Sequence, residues 1–339
     1  MLLRFQKPAV RENYETGNQA FSIRLRFLTT RGDGTFQSPV HYAVGQGPFS
    51  QVAVGDFNGD GELDLVVTNF GSNNVSVLLG NGDGTFQAAS SYNVGSIPTS
   101  VAVADLNGDG KLDLVVSNQN CSHSGGSCVA GTVSVLLGNG DGTFQTHKEY
   151  AAGLSPNWVA VGDFNGDGKL DLAVVNGQGA NYTSALLLLL GNGDGTFQAP
   201  TKYALKTNGA SVAAADFNRD GKLDLAVVDN IGLVSVFLGN GDGTFRTRVD
   251  YPAGFLPYGS IGIGDFNGDG SLDLAVASGG SNSVTILLGN GDGTFQPQGV
   301  RFGTGLVPQG VAVGDFNGNG RLDLAVPARY ANVVSIMLQ

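Results

Sequence analysis

Along most of this chain short apolar runs alternate with turn residues, and the same order of runs keeps returning. In one copy the alternating run Val52-Ala53-Val54 leads into an Asp-rich loop, LDLVV follows from Leu63, and VSVLL follows from Val75 after a polar gap. The phrase GNGDGTF around Asp83 then leads into a last extended run that ends near Tyr92. Runs this short, bounded by Gly, Asn and Asp, read as β-strands. They are labelled A (Val52 to Gly55), B (Leu63 to Val67), C (Val75 to Leu79) and D (Thr85 to Tyr92). The turns between them are too short for parallel crossovers, so the four form an antiparallel meander. Run B carries Leu63, Leu65 and Val67 on one face and Val66 on the other, which suits a sheet covered on both sides.

The unit recurs. A ten-residue phrase starts at Asp56, Asp105, Asp163, Asp216, Asp265 and Asp315, at intervals of 49 to 58 residues, and the longest interval carries the insertion NCSHSGGSCVAG. A period of that size marks a solenoid, a propeller or an array. Blades stacked around an axis cover both faces of every sheet, which predicts an all-β fold, a β-propeller of four-stranded antiparallel blades. Six A runs, six B runs, seven C-like runs including Leu25 to Leu28, and six D runs predict six blades. The ring would close by pairing the N-terminal D run, Thr35 to Tyr42, with the last A, B and C runs, so that no sheet edge is left where the ends meet. The alternative is seven blades, with Met1 to Gln19 supplying a degenerate A and B. Residues 21–339 are therefore read as one propeller and residues 1–20 as an N-terminal extension or degenerate strand.

The chemistry lies in the A-to-B loops. In Asp56-Phe57-Asn58-Gly59-Asp60-Gly61-Glu62-Leu63-Asp64, oxygen-bearing side chains stand at positions 1, 3, 5 and 9, and position 7 offers its backbone carbonyl. The first set of candidate ligands is thus Asp56, Asn58, Asp60, Glu62 and Asp64, and the second is Asp105, Asn107, Asp109, Lys111 and Asp113. The third is Asp163, Asn165, Asp167, Lys169 and Asp171; the fourth is Asp216, Asn218, Asp220, Lys222 and Asp224. The fifth is Asp265, Asn267, Asp269, Ser271 and Asp273; the sixth is Asp315, Asn317, Asn319, Arg321 and Asp323. Glu62, the three lysines, Ser271 and Arg321 enter only through their carbonyls. A set made of oxygens alone, on flexible carboxylates around a glycine turn, favours calcium over magnesium's stricter octahedron. Soft metals would want Cys or His, which the loops lack.

Gly occupies position 6 in all six loops, where the chain must reverse through a positive φ. The EF-hand's Glu at position 12 is missing and strands flank the loop where helices would be needed, so EF-hand and dockerin readings are excluded. A single loop of this kind is also an ordinary Asx-turn that caps its own backbone. Six copies that cluster mutually repelling carboxylates argue for about six calcium ions instead, and Asn319 marks the sixth loop as the weakest site. The GNGDGTF phrase is accounted for by Gly-rich hairpin chemistry without an ion.

Charge agrees. The chain has 339 residues, 54 of them Gly, with 18 Lys and Arg against 29 Asp and Glu and a formal charge of −11. Of those 29 acids, 23 sit in the Asp-rich loops and the GNGDG-type turns, so a full set of divalent ions would bring the protein near neutrality. This is not the balance of a nucleic-acid binder. No apolar run approaches the roughly 18–20 residues that cross a bilayer, the longest being Ala185 to Leu190, so no membrane insertion is expected. MLLRFQKPAVRENYETG lacks the h-region and cleavage site of a signal peptide, so a signal was removed or the chain is an excised piece. Cys121 and Cys128 lie in a Ser- and Gly-rich loop and could pair in an oxidising compartment; two free thiols are the alternative.

On these loops the chain resembles the FG-GAP and VCBS repeat proteins, whose propeller includes the headpiece of integrin α subunits. The resemblance covers residues 21–339 and implies calcium in the loop between strands A and B, bound by the ligand sets named above. It also implies an extracellular or cell-surface life. The Gly-Ala-Pro stretch expected after strand B is replaced by Val67-Thr68-Asn69, which is nearer the VCBS form. The same blades occur in adhesins, lectins and some polysaccharide lyases, so fold alone does not give function.

Antiparallel order puts the Asp-rich loops and the GNGDG turns on one face, and the B-to-C and D-to-A loops on the other. The second face is the more variable, carrying Phe49, Trp158, Phe255, Tyr258 and the cysteine insertion, and variable loops on a rigid scaffold are where recognition usually lives. Trp158, the only tryptophan, could stack on a sugar or plug the space between blades. Arg31-Gly32-Asp33 matches the tripeptide many integrins bind, although Arg31 merely replaces the Asn of the repeat. For catalysis the sequence offers scattered His41, His123 and His147 and no cluster of Lys or Arg. The expectation is a monomeric binding or adhesion module with a carbohydrate or surface protein as partner. A lyase-like enzyme and a structural spacer are the alternatives.

Overall fold

The structure is a computed structural model that describes residues 2–4, 22–28, 40–120, 130–177, 184–329, 331 and 333–339. The Arg31-Gly32-Asp33 tripeptide, the Cys121 and Cys128 pair, His123, and the side chains of Phe49 and Tyr258 lie outside the described residues. Strands dominate, and among the described residues the one short helical turn is Gly279–Ser281. Among the described residues no helix is long and apolar enough to cross a membrane.

Each repeat folds as the meander its sequence predicts. Blade 1 joins Pro48–Gly55, Asp64–Asn69, Asn74–Leu78 and Ser90–Asn93 as strands A to D. Blade 2 joins Pro98–Ala104, Asp113–Asn118, Ala130–Leu136 and Lys148–Leu154; blade 3 joins Pro156–Gly162, Asp171–Asn176, Ala185–Leu189 and Thr201–Ala204. Blade 4 joins Gly209–Ala215, Asp224–Asp229, Leu233–Phe237 and Val249–Pro252; blade 5 joins Pro257–Gly264, Asp273–Ser278, Ser283–Leu287 and Val300–Gly303. Blade 6 joins Ala312–Gly314, Asp323–Ala328 and Val333–Met337. Strand D starts later than the sequence suggests. Gly80 and Phe86 close the GNGDGTF turn with a single bridge, and the ladder resumes only at Ser90.

The A strands of successive blades meet side by side, which places them around the axis and the D strands at the rim. Gln51 accepts from Val101 N–H at 2.9 Å, Ser100 from Val159 N–H at 3.0 Å, and Asn157 donates to the Gly209 carbonyl at 2.8 Å. Every B strand of blades 1 to 5 is buried along its whole length. Its alternate residues serve different seams: Leu65 and Val67 pack toward Tyr42 and Val44, whereas Val66 packs with Val101, Leu114 and Val116 of blade 2. That two-sided burial is the propeller environment the B runs predicted.

Two expectations are corrected. The N-terminal D run, Val40–Gln46, pairs with Ser22–Leu28, which in turn pairs with Leu2–Arg4, and it does not complete blade 6. A hairpin to the preceding C run closes a short loop, whereas closure onto Val333–Met337 spans nearly the whole chain. Leu63, assigned to the core face of run B, is 55% exposed. In later blades the same leucine packs on the last residue of the preceding A strand, as Leu112 does against Gly55, Leu223 against Gly162 and Leu322 against Gly264. The N-terminal sheet has no A strand among its described residues, so Leu63 has no such floor.

Candidate metal loops and a rim groove

The six Asp-rich loops share one geometry. At position 1 the aspartates Asp56, Asp105, Asp163, Asp216, Asp265 and Asp315 accept the N–H of the position-6 glycine at 2.7–2.9 Å. The asparagine at position 3 accepts from the position-5 N–H at 2.9–3.1 Å. Position 5 accepts from the position-7 N–H at 2.7–3.0 Å. The position-6 glycines have φ of 79–85°, the left-handed region where a Cβ is strained. The side chains at 1, 3 and 5 therefore line the inside of a tight turn at the surface.

Position 9 is different. Asp64, Asp113, Asp171, Asp224, Asp273 and Asp323 have no exposed surface. One oxygen accepts from the position-2 N–H at 2.7–2.9 Å; the other accepts, in blades 1 to 5, from an N–H at the start of the C-to-D turn (Gly80 in blade 1) and, in blade 6, from Gln339 N–H, at 2.7–2.9 Å. The carboxylate thus ties the Asp-rich loop to the neighbouring GNGDG turn, a bracing role that the ligand pattern alone did not show.

Protonation separates the two kinds of aspartate. Donation from Gly61 and Gly320 holds Asp56 and Asp315 below the usual carboxylate range, against a smaller opposing effect of desolvation. Burial pushes Asp64, Asp113, Asp171, Asp224 and Asp273 above it, and the carboxylates at positions 5 and 1 of the same loop push further the same way. Among the described residues no three acidic or histidine side chains converge on one point, each being turned to amides of its own blade. A carboxylate oxygen that accepts one N–H keeps a second lone pair. A divalent cation drawn into such a loop would relieve both the burial and the repulsion of its carboxylates, and an all-oxygen donor set is the kind that suits calcium.

The residues at position 7 show why only their carbonyls are candidates. The Lys111, Lys169 and Lys222 side chains lie across Gly140, Gly193 and Gly241, where an added Cβ would come within 3.0–3.1 Å. Blade 5 has Ser271 there, and Arg219 of blade 4 reaches across to fill the gap, donating to Ser271 Oγ at 3.3 Å. Arg219 also replaces the usual position-4 glycine at φ 60°, a conformation uncommon for a residue with a Cβ.

The two repeated phrases interlock across the seams. Phe57 meets Phe144 of the next blade edge-on at 5.5 Å, and Phe217 meets Phe295 at 5.6 Å. Gly142 and Gly243 donate their N–H groups to the Phe57 and Phe164 carbonyls at 2.9 and 3.0 Å. At the seam of blades 5 and 6 an apolar groove of about 210 Å3, lined by Phe266, Leu322 and Leu338 among others, lies beside Phe266.

On the opposite face Trp158 falls within strand A of blade 3, half-buried against the seam with blade 4, so it plugs that seam. Phe255 stays exposed. A second groove, of about 390 Å3, opens at the rim between blades 3 and 4, lined by Tyr203, Ala204, Phe237, Arg246, Thr247, Arg248 and Asp250. Lys206 Nζ lies 2.6 Å and Arg248 Nε 3.2 Å from the Asp250 carboxylate. Arg246 and Arg248 stand two positions apart in the sequence, but Lys206 joins them only across the seam, so the sequence alone did not show the cluster. The available signal was departure from the repeat: Arg246 stands where other copies have Gln87, Gln145, Gln198 and Gln296.

The architecture defines a β-propeller of six repeat blades built from four-stranded antiparallel meanders, the last carrying three strands among the described residues. The model of the FG-GAP-like repeat matches residues 16–67, 56–116, 126–174, 163–227, 216–276 and 265–326, and that of the FG-GAP repeat matches 98–136. The chain belongs to the FG-GAP-like repeat family. Among solved structures it is similar to a lectin from Agrocybe aegerita that specifically recognises non-reducing terminal N-acetylglucosamine, at TM-score 0.58 and 20% identity over 91% of this chain and 82% of that one. It is also similar to a functionally unknown protein from Desulfotomaculum acetoxidans DSM 771, at TM-score 0.53 and 14% identity over 81% and 78%. At these identities the likeness is one of fold. No curated protein matches the chain.

Proposed function

We propose that this chain is a calcium-stabilised binding module of the extracellular space or cell surface that holds carbohydrate on a rigid propeller. The observation that carries the reading is the break in the repeat at the rim of blades 3 and 4. There Lys206, Arg246 and Arg248 gather around Asp250 in one groove, beside a Tyr203–Phe245 wall of the kind that other seams also carry. Concave sites with an aromatic wall and a few fixed polar groups suit sugar rings. The lectin of similar fold supports the choice of carbohydrate as a precedent for what such blades can hold. Calcium belongs to the frame. The Asp-rich loop and GNGDG turn of each blade meet through its position-9 carboxylate, and an ion there would lock that blade's loop face.

The test is a glycan array probed with calcium-loaded protein, run beside a viscosity assay on acidic polysaccharides. Retention of a restricted set of glycans with no loss of viscosity is expected. Absence of glycan retention, or a falling viscosity, overturns the reading, the latter in favour of a lyase-like enzyme.

A further inference from the structure

The rim groove departs from the repeat in charge, with three cations and the non-repeat acid Asp250, which stands where other copies have Ser91, Glu149, Lys202 and Val300. Arg246 replaces a recurrent Gln, Arg248 stands where Ala89, His147, Pro200 and Gln298 stand in other copies, and Lys206 joins them from the loop after strand D of blade 3. Asp250 faces them, and Asp220 lies 3.7 Å from Arg246. Three cations therefore meet two carboxylates, on a chain whose formal charge is −11.

We propose that this groove binds the carboxylate of an acidic saccharide; the proposal rests on the carbohydrate reading and adds the place and the class of sugar. Asp250 is the anchor of the site. Its carboxylate accepts from Ser235 Oγ at 2.7 Å and is bridged by Lys206 and Arg248, which outweigh its burial and keep it ionised. Arg248 is held in turn: Nε bonds Asp250 and Nη1 donates to the Ala204 carbonyl of the adjacent blade. A guanidinium has five N–H donors, so fixing two of them orients the group and leaves others for a ligand. Arg246 has only a long, exposed contact to Asp220, the kind of pair that contributes little, so its charge is available to a second anion.

The wall opposite is equally fixed. Tyr203 packs edge-on against Phe245 at 5.3 Å, and its hydroxyl donates to the Gly243 carbonyl at 3.0 Å. A held aromatic ring beside planar guanidinium groups matches a sugar that carries a planar carboxylate, the anion that arginine recognises through paired N–H donors. If the cations served only to neutralise Asp250, one would suffice. The groove's volume of about 390 Å3 falls within the range of small-ligand sites.

The experiment titrates the calcium-loaded full chain with a hyaluronan tetrasaccharide and, separately, with the neutral chitin tetrasaccharide, by calorimetry. It uses wild type, Arg246→Gln, Arg248→Gln and the double variant. Both substitutions install a residue that other blades carry at that place, Gln87 or Gln298 for example, and melting curves confirm the fold. The acidic probe should bind wild type at least about tenfold more tightly than the neutral one, and the double variant should lose that preference while still melting as a folded protein in one cooperative transition. Wild-type affinity for the acidic probe in the double variant overturns the proposal. So does equal binding of both probes, or binding of the neutral one alone, and in these cases the carbohydrate reading stands. Binding of neither probe, to a protein that also retains nothing on the array, removes both.

Discussion

One amide separates the sixth loop from the other five. Asn319 still accepts the Arg321 N–H at 2.8 Å, so the turn is kept, but its Nδ2 donates to the Gln339 carbonyl at 2.6 Å and its charge is gone. Asn319→Asp would set a carboxylate against that carbonyl. Without metal the variant should melt slightly lower than wild type. With calcium it should bind one ion about tenfold more tightly, since ligand charge tunes affinity in such loops. Calorimetry checks this, and equal affinities in both proteins would refute the ranking of the sites. At this scale the loops were legible because their rules are local: a glycine at positive φ and donors at fixed spacing need no tertiary knowledge. Leu63 and the groove arginines were not. Whether Leu63 is buried depends on a neighbouring blade's A strand, and Lys206 joins the sequence neighbours Arg246 and Arg248 only when strands D of two blades meet.

At the scale of elements, the seam between blades is the unit that holds the ring. Phe164, 2% exposed, packs with Val212, Leu225 and Val227 of blade 4, and its ring lies 6.2 Å from Phe245. Its carbonyl is also bonded to the Gly243 N–H. Phe164→Ala should cost about 3–5 kcal/mol, as large-to-small changes in cores do. Phe164→Leu should cost far less, because blade 2 already carries Leu106 at this place and buries it to 3%. Denaturant titration of the two variants measures the difference, and a similar loss in both would show that the ring contact is not what the seam depends on. The repeat of Phe in both phrases was plain in the sequence. Its purpose was hidden, since the two rings that meet belong to different repeats.

For the whole molecule, the proposed calcium binding would be linked to pH through the buried carboxylates. Desolvation raises Asp64, Asp113, Asp171, Asp224 and Asp273, so in metal-free protein their favourable contribution exists below the ordinary carboxyl pKa and is lost as pH rises through the raised values. Asp56 and Asp315, held low by amide donors, contribute in the opposite sense and lose it only as pH falls through their depressed values. Ionising these carboxylates in the metal-free ring is therefore opposed by burial, a cost that bound calcium would offset. Each site filled at 100 times its Kd adds about 2.7 kcal/mol. Chelator should lower the melting temperature strongly at neutral pH. The gap between loaded and chelated protein should shrink as pH falls toward the carboxyl range, because protons compete for the ligands and at the same time relieve the burial. A gap independent of pH would mean that calcium, if bound, sits away from these carboxylates. An unchanged melting curve in chelator would leave the position-9 aspartates as backbone braces alone, a role their paired N–H bonds already equip them to fill.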